Sequence, residues 1–220
     1  MPKSITSNYN KIPLFKGMNC EEIDDIIKKI HGLVRCFPKS EYIFLAGDCV
    51  ESLCVVLKGT VQMIKEDVLG EKSIIASLKE GEVFAENSLG VADSQSTVSY
   101  FAVSDSEILM LPLGRTLFDN GLQGPAGGRM MCNIISVLAD NNAKLIEKTE
   151  ILCKKTLRGK IMAYFEQEAK HQGSRKFVCL FNRTDLASYL DANRSALTRE
   201  LSRMRDDGLV DFDKNVFELK

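Results

Sequence analysis

Between residues 36 and 113 the chain is punctuated by glycines at 47, 59, 70, 81 and 90, about one every ten residues. The intervals are short and β-rich: YIFLA, LCVVLKG, TVQMIKED, SIIASL, EVFA, VSYFAV and EILMLPL. Short strands with turn signals at that spacing specify an antiparallel sandwich or barrel. The rhythm is not a sequence repeat, and no segment is of low complexity.

What flanks this region is helical. Residues 13–35, PLFKGMNCEEIDDIIKKIHGLVR, read as a short amphipathic helix with Ile23, Ile26, Ile27 and Ile30 on one face and Gly32 as its end. Gly124-Pro125 opens a long helix, since proline is preorganised for a first helical turn. Along it Met131, Ile135, Leu138, Asn142, Leu145, Thr149 and Leu152 recur at alternating intervals of four and three, a coiled-coil-like seam. Asn142 and Thr149 are its polar members, of the kind that fixes register at some cost in stability. The seam predicts a dimer; its alternative is a helix packed only on its own β-domain.

After this rod, TLRGKIMAYFEQEAK reads as a helix ended near Gly173, and SRKFVCLF as extended. Two short helices follow, over about 184–190 and 194–207, and then the hairpin LVDFDKNVFEL, turning at residues 213–215. Thr184 is positioned to cap the first short helix, with Asp185 favouring its positive end. The break Asp191-Ala192-Asn193 leads to Asn193 as the cap of the second helix, whose buried stripe is Leu197, Leu201 and Met204. Two helices joined in this way form a helix-turn-helix, whose second helix enters the DNA major groove. Arg194, Ser195, Thr198 and Arg199 lie off the apolar stripe in its first turns, where base edges are reached. Arginine suits guanine, presenting two donors to O6 and N7. Arg183, Thr184 and Arg203 are the candidate phosphate contacts, with Arg203 and Arg205 also able to pair with Glu200, Asp206 or Asp207.

Charge agrees with that division. The net charge is −1 over 220 residues, yet residues 1–153 hold 15 Lys+Arg against 20 Asp+Glu, while residues 154–220 hold 14 against 10. An acidic first part joined to a basic last part fits a nucleic-acid-binding tail. No apolar run approaches the roughly 18 residues of a membrane span, and the N-terminus lacks the apolar core of a signal peptide, so a cytoplasmic protein is expected. Cysteines 20, 36, 49, 54, 132, 153 and 179 are scattered with no C-x₂-C pair, and the two histidines, His31 and His171, lie far apart. Neither set builds a metal site or a His-based catalytic centre, so a small β-barrel enzyme is a poor third reading.

Over residues 12–219 these parts, in this order, resemble the Crp/Fnr family of bacterial transcription regulators. The resemblance is carried by P13-LFKG, by G47…L57-x-G59, by G81-EVFAENSLG-90, by the long helix leading into L157-RGKI-161, and by the winged helix-turn-helix. It implies an α+β fold: an antiparallel β-roll of the double-stranded β-helix or jelly-roll type over residues 1–124, a dimerisation helix over 125–154, and a winged helix-turn-helix over 155–220. It also implies a homodimer on a pseudo-palindromic DNA site, RNA polymerase as a further partner, and a roll that senses an effector.

At the sensing position the chain departs from members that bind cyclic nucleotides. Those carry G-E-L and, about nine residues later, an arginine-serine pair whose arginine neutralises the cyclic phosphate. The corresponding residues here are A85-E86-N87 and S96-T97, and no Lys or Arg occurs from 80 to 114. A buried phosphate without a cation is costly, which argues against cyclic AMP or GMP. The scattered cysteines argue against an iron–sulfur cluster, and the lone His31 before the DNA-binding part argues against haem. A small-molecule pocket would use Glu86, Asn87, Ser96 and Thr97, between the 81–97 segment and the long helix. The alternative on the same fold is a thiol-based redox regulator.

Overall fold

A computed structural model describes residues 9, 11–67, 72–89, 95–113 and 122–220, with the side chains of 87 and 88 outside that description. Gly70, Gly90 and the Asn87 side chain, all named above, lie outside the described residues. The chain divides into two compact units, residues 1–71 with 75–141, and residues 72–74 with 142–220.

The first unit is built on two four-stranded antiparallel sheets. Its strands are β1 (Leu33–Phe37), β2 (Tyr42–Phe44), β3 (Leu53–Lys58), β4 (Val61–Glu66), β5 (Lys72–Leu78), β6 (Val83–Phe84), β7 (Ser99–Ala102) and β8 (Ser106–Leu111). Their orders are β1-β8-β3-β6 and β2-β7-β4-β5. Period-two alternation decides how the first sheet is used. Cys54, Val56, Ile108 and Met110 join Ile43, Val61, Tyr100 and Ala102 of the second sheet in one core. Leu53, Val55, Leu109 and Leu111 point the other way, into a second core with helical residues. Glycine is required at the β3–β4 turn: Gly59 has φ +90, and a Cβ there would stand 2.6 Å from the Asp105 carbonyl oxygen.

That second core explains the N-terminal segment. A 3₁₀ turn, Pro13–Phe15, precedes helix α1 (Cys20–Lys29). Asn19 and Glu22 form a capping box, with side chain to backbone distances of 2.9 and 3.0 Å. The helix read over 13–35 is therefore shorter than expected. Gly32 donates to the Ile27 carbonyl at 2.7 Å, and Leu33–Phe37 leaves as a strand paired with β8 from Leu33↔Met110 to Phe37↔Ser106.

Helix α2 (Gly124–Leu152) is continuous across 29 residues, about 44 Å at 1.5 Å per residue. In the first unit Met130, Ile134 and Val137 bury one stripe of it against the β1-β8-β3-β6 sheet and α1. Asn133 donates to the carbonyls of Leu14 and Lys16 at 3.0 and 2.9 Å, and Arg129 pairs with Glu22.

The second unit holds α3 (Leu157–Gln172), capped by Thr156 and ended by Gly173 in the left-handed conformation, α4 (Arg183–Tyr189) and α5 (Arg194–Asp206). Strands β9 (Lys176–Val178), β10 (Val210–Asp213) and β11 (Val216–Leu219) form a sheet in the order β10-β11-β9. Phe165, Phe177 and Phe217 pack their rings 4.4–6.0 Å apart between helix and sheet.

Candidate nucleic-acid interface

The turn between α4 and α5 is set by backbone rules. Leu190 ends α4, Asp191 takes φ +51, Ala192 donates to the Ala187 carbonyl at 2.9 Å and Asp191 to that of Ser188 at 3.3 Å. This pair is a Schellman motif, with aspartate tolerating the left-handed position. Lys160 of α3 donates to the Leu190 carbonyl at 3.1 Å, adding a cation at the negative end of α4. Asn193 then caps α5, accepting from the Ser195 amide at 2.8 Å. The first short helix is capped differently from the expectation. Asn182, not Thr184, accepts from the amides of Thr184 and Asp185 at 2.8 and 2.9 Å, which places Thr184 inside the first turn.

Leu197, Leu201 and Met204 are buried, so α5 lies inward on that stripe. Arg194, Ser195, Thr198 and Arg199 are all exposed. Their local bonds leave outward capacity: Thr198 donates its hydroxyl to the Arg194 carbonyl at 2.9 Å and keeps its acceptor lone pairs. Arg199 donates Nε to the Ser195 carbonyl at 3.3 Å, leaving both terminal nitrogens to point elsewhere.

The helix is braced from behind by a residue that charge counting did not single out. Arg158 of α3 donates to Glu200 at 2.6 Å and to Asp207 at 2.7 Å, spanning α5 from its middle to its end. Arg203 lies 3.7 Å from the same Glu200, with its side chain largely exposed. Beside α5 the hairpin turn presents Lys214, exposed and at φ +52. Its signal in the sequence was only the turn DFDKN.

In the roll, the candidate effector residues are differently placed. Ala85 is fully buried at φ +63, so it keeps a conformation that favours glycine while carrying a Cβ. Glu86 accepts from Asn141 of α2, which also donates to the Val83 carbonyl at 3.3 Å. The 81–97 segment and the long helix do meet, then, through an asparagine that sequence reasoning passed over. Ser96 is buried and donates to the Val98 carbonyl at 2.7 Å, whereas Thr97 is exposed. No group of three or more His, Cys, Asp or Glu side chains suited to a metal ion occurs among the described residues.

The seam residues of α2 are exposed apart from Leu152, and Ile146 beside them is exposed too. Ile135 is 62%, Leu145 48% and Leu138 39% exposed, with Met131 and Asn142 exposed beside them and Leu152 half-buried.

The sheets and the helix-turn-helix each match a known family model. Residues 34–117 match the cyclic nucleotide-binding domain, and residues 159–220 the Crp-like helix-turn-helix domain. The chain belongs to the Crp/Fnr family. Among curated Crp/Fnr relatives, the cyclic AMP receptor protein of Thermus thermophilus is 33% identical over 99 residues, 45% of this chain and 44% of that protein. The chain thus matches less than half the length of that relative. Electron transport regulator A of Shewanella oneidensis is 23% identical over 196 residues, 87% of this chain and 74% of that protein. A solved structure, the c-di-GMP-responsive global regulator CLP of Xanthomonas campestris, superposes with a TM-score of 0.74 over 91% of this chain and 99% of that one. At 19% identity that likeness speaks to the fold. Crp/Fnr proteins are regulators of transcription, not catalysts. No helix of the described residues is long and apolar enough to cross a membrane.

Proposed function

We propose that the protein is a homodimeric, DNA-binding transcription regulator whose roll answers a signal other than a cyclic nucleotide. The observation that carries this reading is α5: a helix held by its cap, its buried stripe and Arg158, with Arg194, Ser195, Thr198 and Arg199 all turned outward in its first turns. These four read bases, Thr184 and Arg203 meet phosphate, and the exposed stripe of α2 pairs with its twin. Two recognition helices then engage half-sites about 34 Å apart. Promoter binding would set the protein beside RNA polymerase.

Selection from random duplexes tests this directly. The expected product is a pseudo-palindrome with half-sites about ten base pairs apart, bound with an affinity that falls steeply with salt. Recovery of no sequence above background would overturn the reading.

Cyclic AMP and GMP are disfavoured because no Lys or Arg occurs between residues 80 and 114 to neutralise the phosphate. Calorimetric titration with either nucleotide should give no saturable heat. Native mass spectrometry of protein from its own host would expose a retained effector by mass, with Glu86, Asn87, Ser96 and Thr97 as its polar contacts. A thiol-switched regulator is favoured by one observation, the exposure of Cys20, Cys36, Cys49, Cys132 and Cys153. Cys54 and Cys179 are outside that reading, since burial pushes both thiols up and away from the reactive thiolate. Under it, oxidation shifts DNA affinity and Cys→Ser at one or two of the five abolishes the shift.

A further inference from the structure

Arg183 is the first residue of α4, and its side chain folds back onto the hairpin. The guanidinium carbon stands 4.8 Å from the ring centre of Phe212 on β10 and 4.6 Å from that of Phe217 on β11. Its Nη2 donates to the carbonyl of Lys214, in the turn between those strands, at 3.2 Å. Arg205, from the last turn of α5, places its own guanidinium 4.9 Å from the Phe212 ring. One aromatic ring of the hairpin is thereby held by arginines from both helices of the helix-turn-helix. Lys214 is exposed and its backbone is left-handed, a conformation strained for a non-glycine residue that persists only where neighbours fix it. The bond from Arg183 to its carbonyl is such a constraint.

We propose that Arg183 is a positioning residue: it acts through the hairpin turn, holding Lys214 where its ammonium meets a backbone phosphate, and makes no phosphate contact of its own. The idea rests on the DNA-binding reading above. The geometry separates the two roles chemically. A phosphate contact needs only a positive charge, which lysine supplies. The clamp needs a flat cation that covers two rings and still reaches a carbonyl, and lysine, a compact ammonium on a flexible stem, does this poorly.

The test uses the full chain and a duplex from the selection. Lys214→Ala should lower the slope of log affinity against log salt by about one unit per subunit. Arg183→Lys should lose as much affinity as Arg183→Ala, about three- to tenfold, despite keeping its charge. The double change Arg183→Lys with Lys214→Ala should bind no more weakly than Lys214→Ala alone. A second measurement needs no DNA. The Cys179 amide donates to the Asn215 carbonyl at 2.8 Å and reports the anchoring of the turn. Its hydrogen exchange should accelerate in Arg183→Lys and in Phe212→Leu, a change that leaves every charge in place. The proposal fails if Arg183→Lys keeps the wild-type salt slope and Cys179 protection, or if the Arg183 and Lys214 losses multiply. If the wild-type chain binds no duplex, the DNA-binding reading falls while the exchange measurement still decides whether the clamp exists.

Discussion

The candidate effector residues of the roll and the first turns of α5 hold their polar side chains differently. In the roll, two of the groups expected to meet an effector are engaged inside the protein, Glu86 by Asn141 and the Ser96 hydroxyl by the Val98 carbonyl, while Thr97 is exposed. On α5, Arg194, Ser195, Thr198 and Arg199 are exposed, and Thr198 and Arg199 bond to backbone carbonyls one turn back in their own helix. Helix α2 repeats the contrast along its own length. Met130, Ile134 and Val137 are buried in the first unit, while Met131, Ile135, Leu138 and Leu145 stand exposed. A group bonded within the fold reports on stability, whereas a group left outward is available to a partner.

The outward stripe of α2 should give the largest effect. Leu138→Glu with Leu145→Glu should yield monomers by light scattering. It should weaken binding to the pseudo-palindrome by about a hundredfold or more, because the second half-site is no longer held at high effective concentration. Val137→Ala, on the inward stripe, should instead cost about 2 kcal/mol of stability and leave the mass unchanged. An unchanged dimer in the double Glu variant would remove the seam.

Lys148 is the exception, a cation on α2 that is only 8% exposed. Its ammonium sits 3.7 Å from the centre of the Tyr189 ring, and burial pulls its pKa down to about 7, partly opposed by Asp191. The sign of the effect is then fixed. Between about pH 7 and the ordinary lysine value, the unfolded chain keeps a proton that the folded protein has released. Stability therefore climbs with pH across that window, by at most roughly 1.4 kcal/mol per unit, and this contribution is flat below it. Urea unfolding from about pH 6 to 9 should show the climb in the wild type and a flatter profile in Lys148→Met. Parallel profiles would mean that Lys148 is not an inward group.

Much of the fold was legible because local pattern and tertiary use agree. All seven β-rich runs carry a strand, and the alternation of Leu53 and Val55 with Cys54 and Val56 is the division between two cores. Strand β1 was hidden because LVRCF follows a helix signal directly and its strand character comes from β8, some seventy residues later. The cap of α4 is ambiguous in sequence because Asn182 and Thr184 are both good caps, and only the bonds to the amides of Thr184 and Asp185 choose between them. The outward residues of α5 could be read because an apolar stripe at helical spacing leaves the opposite face by subtraction. The inward partner of Glu86 could not be, since Asn141 and Asn142 are adjacent and alike and differ only in which side of α2 they occupy.

Arg199→Ala tests the outward face at the scale of a single base. It should weaken binding by about 1–3 kcal/mol on the selected duplex and by much less on duplexes altered at one half-site position, because a lost base contact removes discrimination there. Arg203→Ala should lower affinity evenly across those duplexes, with a shallower salt slope. Equal losses on every sequence for the Arg199 change would move it to the phosphate group.

Asn141→Ala should give the smallest effect and bears most directly on the division between inward and outward groups. Removing the amide leaves a half-buried Glu86 without that donor, a loss of about 1 kcal/mol in stability. If the contact is a brace, urea unfolding of the DNA-free chain should register that loss, while the salt slope and sequence preference of binding stay as in the wild type. Asn141→Asp should cost more at neutral pH, because a second carboxylate then faces Glu86. The opposite pattern, altered DNA affinity with stability unchanged, would make the Glu86–Asn141 bond a switch between two states of the helix. The roll would then hold an operating part where the structure reads as a fixed one.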